Sequence, residues 1–254
     1  MSINEIFPNS TVKQVIFQIR FPNLFYMESK IGDLQLGIMQ EFPESSLIER
    51  RKIVFVDVGT NLKPLDDDLD KETDKETGRK IWQFKSPKDF QLNVLSNSLD
   101  ITSQYHKTYN LGDGDKFRDI IKFVLDTFLK VTAIPIINRI GLRYVDECPV
   151  PSKDNKSYKS YYNSAFPLNR FNLADAEEMV SIVKTKRGKH YLRYIESLQK
   201  VDNEYKLILD FDSYAINIKP EIYLDVTDEL HAIISDEFEK TIKEPVLEYM
   251  RKKE

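Results

Sequence analysis

Alternation of apolar and polar side chains marks the first element of this chain. Between residues 12 and 21, apolar and polar residues alternate, with Val15, Phe17 and Ile19 on the apolar side. Because successive side chains of a β-strand point to opposite faces, the pattern predicts a half-buried strand. The next segment, 24–42, repeats apolar residues every three or four positions, which predicts an amphipathic helix.

The same two periodicities divide most of the remaining chain into strands and helices. The strands are predicted at 51–58, 81–85, 90–95, 139–145, 179–186, 189–199 and 205–214, and the further helices at 115–130 and 226–242. Strands occur in runs between isolated helices. This order favours an α+β fold with a largely antiparallel sheet that is covered by a few long helices on one side.

The chain is expected to consist of two parts that pack together as one domain. Residues 1–150 form an α+β half with the order strand–helix–three strands–helix–strand. Residues 151–169 are polar, contain three tyrosines and lack periodicity, so a connecting loop is predicted there. Residues 170–254 supply an antiparallel meander and a C-terminal helix. A chain of 254 residues is near the upper limit for one domain.

The strand at 139–145 carries the most informative chemistry. Arg139 and Arg143 share its polar face, and Gly141 lies between them. Guanidinium groups suit phosphate and carboxylate ligands, so this pair predicts an anion site. The alternative is a structural ion pair with acids on a neighbouring strand, or a contact surface for another protein.

Polar positions on other strands extend this site if all of the strands belong to one sheet. The predicted ligand-binding residues are Gln18, Arg20, Arg139, Arg143 and Arg193. One sheet face would then carry arginines and acids, and the other would be packed by helices.

Two acids on the last strand are candidate metal ligands. Asp210 and Asp212 lie two residues apart and therefore share a face. Such pairs bind magnesium in nucleases, but no third acid or lysine stands at motif spacing. Charge pairing to arginine is the favoured interpretation. No cofactor is predicted.

No complete catalytic motif stands in the sequence. The histidines, His106, His190 and His231, form no metal-binding spacing. His231 and Glu239 lie about two helical turns apart, which allows an acid–base pair, although a solvated helix face is the simpler interpretation. A nucleophile elbow of the form Gly-x-Ser-x-Gly is also lacking.

Composition excludes some classes of function. Hydrophobic residues make up 41% and charged residues 31% of the chain, a soluble globular balance. The net charge of −4 provides no overall attraction to nucleic acid, which makes nucleic-acid binding the weaker expectation. Cys148 is the only cysteine, which fits a reducing compartment. Apolar runs are too short to span a bilayer and no signal peptide is expected, so a cytoplasmic protein without a membrane role is predicted.

Three local patterns resemble those of a known family. They are Val-Ile-Phe-Gln-Ile-Arg-Phe-Pro at 15–22, Arg-Ile-Gly-Leu-Arg-Tyr-Val-Asp at 139–146, and Leu-His followed by Phe-Glu within 230–239, with Trp82, Phe84 and Leu-Ser-Asn-Ser at 95–98 between them. The set resembles a sporadically distributed family of prokaryotic proteins of about this length that has no assigned function. The resemblance covers nearly the whole chain but supplies no reaction, cofactor or site residues. Its patchy distribution resembles that of mobile elements and defence islands, which implies a place in such a system.

Two functions follow as expectations. The first is a cytoplasmic binding or partner protein without a recognisable catalytic site, acting with a protein partner or by self-association. An apolar cluster after Pro245, formed by Val246, Leu247, Tyr249 and Met250, is expected in or near a subunit interface. The alternative is an enzyme or binder that acts on an anionic, nucleotide-like ligand through the arginine-rich sheet face.

Overall fold

A computed structural model describes residues 5–50, 79–104, 108–201 and 204–252. The strand predicted at 51–58 and the residue His106 lie outside the described residues. The helices are α1 (Met27–Ile38), α2 (Phe117–Val131), α3 (Asn155–Tyr161), α4 (Tyr223–Thr241) and α5 (Glu244–Arg251). The strands are β1 (Val12–Arg20), β2 (Glu44–Arg50), β3 (Arg79–Lys85), β4 (Phe90–Val94), β5 (Ser98–Gln104), β6 (Ile137–Cys148), β7 (Glu178–Arg187), β8 (His190–Val201) and β9 (Glu204–Ile218).

All strands of the described chain belong to a single antiparallel sheet. Their order is β2-β3-β4-β5-β1-β6-β9-β8-β7. The N-terminal strand β1 lies in the middle, hydrogen-bonded to β5 on one side and to β6 on the other. The predicted α+β fold with an antiparallel sheet is therefore confirmed.

The hydrophobic core lies against one face of this sheet. On β1 the alternate residues Val15, Phe17 and Ile19 are fully buried, as the predicted periodicity requires. Leu142 of β6 stands opposite Phe17 and is equally buried. Buried residues of the helices join the same hydrophobic cluster, and α4 packs on β6 and β9 while α1 packs on α2. The other face of the sheet carries the polar residues.

Two strands differ from the prediction. β2 lies at Glu44–Arg50, before the strand predicted from residue 51. β5, at Ser98–Gln104, was not predicted, although Leu99, Ile101 and Ser103 alternate with more exposed residues along it. Its apolar side chains are too few to stand out from the polar sequence around them. Pairing with β1 and β4 supplies the stability that the local pattern lacks.

The segment at 151–169, predicted as a connecting loop, contains helix α3. Asp154 caps this helix by accepting hydrogen bonds from the backbone N–H groups of Lys156 and Ser157. Tyr158 is buried and donates a hydrogen bond of 2.9 Å to Glu196 of β8. This contact joins residues far apart in the sequence, so local periodicity gave no sign of the helix.

The C-terminal helical region is divided in two. Pro245 stands in the first turn of the separate helix α5, which follows the helix predicted at 226–242. A proline is tolerated there because the N–H that it lacks has no partner within the helix. Val246 and Met250, expected near a subunit interface, are buried within the chain itself. No described helix is long and apolar enough to cross a membrane.

Candidate functional site

A row of side chains in register crosses the polar face of the sheet. The antiparallel pairing aligns, from β3 to β8, Gln83, Asn93, Asp100, Gln18, Gly141, Tyr214 and Tyr191. Seven strands from both halves of the chain are thereby brought to one surface. The prediction that the polar sides of these strands share a sheet surface is confirmed by this register.

A cleft of about 760 Å³ lies over this row. Such a volume is within the range of about 300–1,000 Å³ that small-molecule sites occupy. Three of the predicted ligand-binding residues line the cleft: Gln18, Arg20 and Arg139. The other lining residues include Gln91, Asn97, Ser98 and Asn138 in addition to members of the row. The cleft is therefore lined by amide, hydroxyl and guanidinium groups together with the apolar side chains of Phe21, Ile48, Ile81, Leu95 and Ile216.

Arg139 lies flat across the sheet instead of pointing away from it. Its Nη2 donates hydrogen bonds of 2.9 and 2.8 Å to the two carboxylate oxygens of Asp212. To reach them it passes over Gly141, where a Cβ atom would lie 2.5 Å from Nη1 of Arg139. The glycine between the two arginines leaves room for the guanidinium group of Arg139, because any side chain at this position would displace that group.

Two aromatic rings continue this arrangement. The guanidinium carbon of Arg139 lies 4.7 Å from the ring centroid of Tyr214, a cation–π distance. Tyr214 is stacked on Tyr191, with ring centroids 5.2 Å apart and planes 15° apart. Both tyrosines line the cleft. Tyr214 lies between Arg139 and Tyr191, so the outer face of Tyr191 is the flat surface offered to a planar group.

Arg20 and Arg139 form a cationic corner of the cleft. They stand directly opposite each other on β1 and β6. Like charges in opposed positions destabilise a sheet. Gln18 lies beside both, and its Oε1 accepts a hydrogen bond of 3.0 Å from Nε of Arg20 and one of 3.5 Å from Nη1 of Arg139. The pairing of Arg139 with Asp212 already reduces this repulsion, and an anion held at this corner would reduce it further.

A chain of amides forms the opposite side of the cleft. Gln83 and Gln91 both donate to Oδ1 of Asn93, at 3.1 and 3.3 Å. Asn93 in turn donates a hydrogen bond of 2.8 Å to Asp100. Burial raises the pKa of Asp100, and the hydrogen bond from Asn93 opposes that rise. These groups present both donors and acceptors to the cleft.

The remaining predicted residues lie on the same sheet face but outside the cleft lining. Arg143 binds Asp210 through two hydrogen bonds of 2.8 and 2.7 Å. Arg193 stands opposite Asp212 in the register of β8 and β9. The face therefore contains both of the arrangements considered from sequence, ion pairs and a cleft, and Arg139 takes part in both.

The candidate metal ligands Asp210 and Asp212 each accept two hydrogen bonds from an arginine. Within the described ranges, no group of three or more His, Cys, Asp or Glu side chains is arranged to hold a metal ion. The geometry thus favours the charge-pairing interpretation of these two aspartates.

Sequence reasoning did not identify the two tyrosines or the amide chain. Tyr191 stands two positions before Arg193 and Tyr214 two positions after Asp212, so alternation on β8 and β9 placed both on the polar face. For Gln83 and Asn93 the same signal existed on β3 and β4. Their approach to Gln18 depends on the strand order, which the pattern of a single strand does not contain.

The chain matches no protein-family model, no curated protein and no solved structure.

Proposed function

We propose that this protein is a non-enzymatic binding protein whose sheet cleft takes an anionic, nucleotide-like ligand. The observation that supports this most directly is the position of the Arg20–Arg139 corner beside the stacked rings of Tyr191 and Tyr214. A charged group and a planar group of one ligand could occupy the two places together.

Each part of such a ligand has a suitable counterpart in the cleft. Guanidinium groups bind phosphate through paired, charge-assisted hydrogen bonds. Tyrosine faces stack with a planar base, and amide side chains recognise its donors and acceptors. Gln83, Gln91 and Asn93 supply those amides within the same cleft.

Calorimetric titration with AMP, adenosine and inorganic phosphate tests this proposal. We expect AMP to bind most tightly, because it alone engages the cationic corner and the rings together. Arg20→Gln should weaken AMP about 10–100-fold, the loss expected for hydrogen bonds to a charged group. Arg170→Gln is the control, because Arg170 lies outside the cleft.

Gly141→Ala provides a second variant that removes no functional group. The added Cβ atom displaces the guanidinium group of Arg139 from its place over Tyr214. We expect a weaker affinity for AMP, again with Arg170→Gln unchanged. Absence of AMP binding at millimolar concentration, or equal affinities of wild type and both cleft variants, would contradict the proposal.

The enzymatic alternative would use Asp100, the carboxyl group among the described residues that line the cleft. Its raised pKa suits a general acid. Incubation with AMP or ATP followed by chromatography separates the two cases. Conversion that Asp100→Asn abolishes would favour an enzyme, and binding without conversion would favour the binding protein.

Self-association is a second candidate, and the edge strand β7 favours it. β7 pairs only with β8 in the described sheet, and Val180, Ile182 and Val183 on it are 41–49% exposed. Antiparallel pairing of two β7 strands about Ile182 would place Glu178 opposite Lys186 of the second copy. Exposed edges with apolar residues are suited to this kind of strand addition.

Light scattering at tens of micromolar distinguishes the outcomes for self-association. We expect a dimer for the intact chain and a monomer for Ile182→Lys, because a charge at the centre of the pairing is unfavourable. Leu36→Lys is the control on an exposed position of α1. A monomeric intact chain would reject this candidate.

A further inference from the structure

A second, smaller cavity of about 130 Å³ lies on the other side of the sheet, between the end of β6 and helix α4. Its polar lining residues are Glu5, Ser10, Thr108, Tyr109, Asn110, Tyr144, Asp146, His231 and Ser235. Tyr144 and Asp146 are two residues apart on β6, on the face opposite Arg143. The cavity is therefore separate from the cleft described above.

The hydroxyl group of Tyr144 has no hydrogen-bond partner among the described residues, although it is shielded from solvent. A buried hydroxyl without a partner costs stability, and native structures contain few of them. Tyr144 lines the cavity. Either an ordered water or a ligand group bound in the cavity would satisfy this hydroxyl.

His231 brings a second polar group to the same place. Its ring stacks on the ring of Tyr109, with ring centroids 4.1 Å apart. It is tilted relative to the ring of Tyr144, whose centroid lies 5.9 Å away. Burial lowers the pKa of His231 to about 4, so the imidazole is neutral near pH 7 and has one donor and one acceptor nitrogen. The neighbouring Asp228 is occupied by Arg118 and by the hydroxyl of Tyr109.

Asp146 is the third group. It is 3% exposed, and its Oδ1 accepts a hydrogen bond of 2.8 Å from Thr11. Burial, together with the nearby Asp210 carboxylate, raises the pKa of Asp146 to about 7. The carboxyl group can therefore offer either a donor or an acceptor near neutral pH.

We infer that this cavity is a binding site for a small, uncharged, planar ring that carries a carboxamide or lactam edge. An amide presents a donor and an acceptor side by side, which matches the groups of Tyr144, His231 and Asp146. The apolar part of the lining includes Phe7, Phe238 and Met250. The described lining residues include no lysine or arginine, so an anionic ligand would lose its hydration without compensation. A cavity of about 150 Å³ accepts benzene, so a single ring is the appropriate size.

Nicotinamide and benzene are the probes, measured by ligand-detected NMR titration of the full chain. Nicotinamide should bind more tightly than benzene. Tyr144→Phe should weaken nicotinamide about 3–10-fold, as expected for one hydrogen bond. The same variant should leave benzene binding and the melting temperature unchanged or slightly raised, because the hydroxyl has no partner to lose within the chain.

Two controls keep this result distinct from the proposed function of the cleft. Tyr223→Phe removes a hydroxyl that is bonded to Asp126 outside the cavity, and it should not change nicotinamide binding. Arg20→Gln in the cleft should also leave it unchanged. Equal affinity of nicotinamide for wild type and Tyr144→Phe, no preference over benzene, or loss of binding in Arg20→Gln would overturn the inference.

Discussion

Two arginines that look equivalent in sequence have different surroundings in the sheet. The Arg139 side chain is 16% exposed and that of Arg143 is 42% exposed, although they lie on the same face of β6. Their carboxylate partners, Asp212 and Asp210, were both identified as candidates for charge pairing. The pairing of each arginine with its acid depends on Gly141. The space above this glycine lets the Arg139 side chain reach Asp212 instead of the position directly opposite it on β9.

Removing Arg143 should destabilise the fold. Arg143→Ala leaves the Asp210 carboxylate, whose side chain is only 7% exposed, without its two guanidinium donors. We expect a loss of about 2–4 kcal/mol in the free energy of unfolding, because a buried charge loses its partner. Partial exposure of the arginine keeps the loss below that of a fully buried pair. Denaturant unfolding measures this loss. Arg251→Ala, in an exposed pair with Glu5, should cost at most about 1 kcal/mol, and equal losses would contradict the expectation.

Asp146 should make stability depend on pH between about 4 and 7. Its pKa is about 7 in the fold, against about 3.9 in an unfolded chain, so the folded state holds more protons in this interval. The contribution of Asp146 is therefore complete below about pH 4 and is lost as the pH rises through 7. As the pH rises from 4 to 8, the free energy of unfolding of Asp146→Asn should increase relative to that of wild type by roughly 2–4 kcal/mol.

Chemical unfolding of wild type and Asp146→Asn at several pH values measures this difference. Asp236→Asn controls for loss of a carboxylate at an exposed position. Parallel stability profiles for wild type and Asp146→Asn would show that Asp146 keeps an ordinary pKa.

At the scale of elements, local patterns predicted most of the strands and the longer helices. β1 and β6 have clear alternation, and α2 has an apolar stripe that is buried as expected. α3 was missed for a physical reason: its position depends on Tyr158 reaching Glu196, a carboxylate that also accepts hydrogen bonds from Ser164 and the backbone N–H of Ala165. A contact between distant segments leaves no periodic signal.

Helix α5 should be required for stability. Val246 and Met250 are buried, and the backbone N–H of Asn9 donates to the carbonyl oxygen of Met250. A chain ending at Glu244 loses these contacts, and we expect a decrease of about 3–6 kcal/mol in the free energy of unfolding, the sum for two buried side chains. A chain ending at Lys252 is the control. An unchanged stability of the shorter chain would mean that this helix contributes little to the core.

For the whole molecule, strand order was the property that sequence patterns could not provide. Alternation on β1 indicated which side is buried, but not that β5 and β6 are its neighbours. The composition of the cleft depends on that order, because the amides arrive from β3 and β4 and the tyrosines from β8 and β9. Arg20, Arg139 and Gln18 could be predicted from β1 and β6 alone.

The continuous sheet predicts a single cooperative unfolding transition. The strands on both sides of the 151–169 segment are hydrogen-bonded to one another through β6 and β9. Trp82, the only tryptophan, reports on β3, while circular dichroism at 222 nm reports on all helices. The two signals should change over the same range of urea concentration. Leu142→Ala should lower the free energy of unfolding obtained from each signal by about 2–5 kcal/mol. Separate transitions would indicate two independently folding parts.

The central position of β1 also has a consequence for synthesis of the chain. β1 leaves the ribosome well before its partner β6, which ends only at Cys148. At about 5–20 residues per second, this delay is on the order of ten seconds. Throughout that time Val15, Phe17 and Ile19 lack the strand that flanks them in the finished sheet. The apolar face of β1 therefore remains uncovered by β6 during this time, and it is a segment that we expect a chaperone to hold.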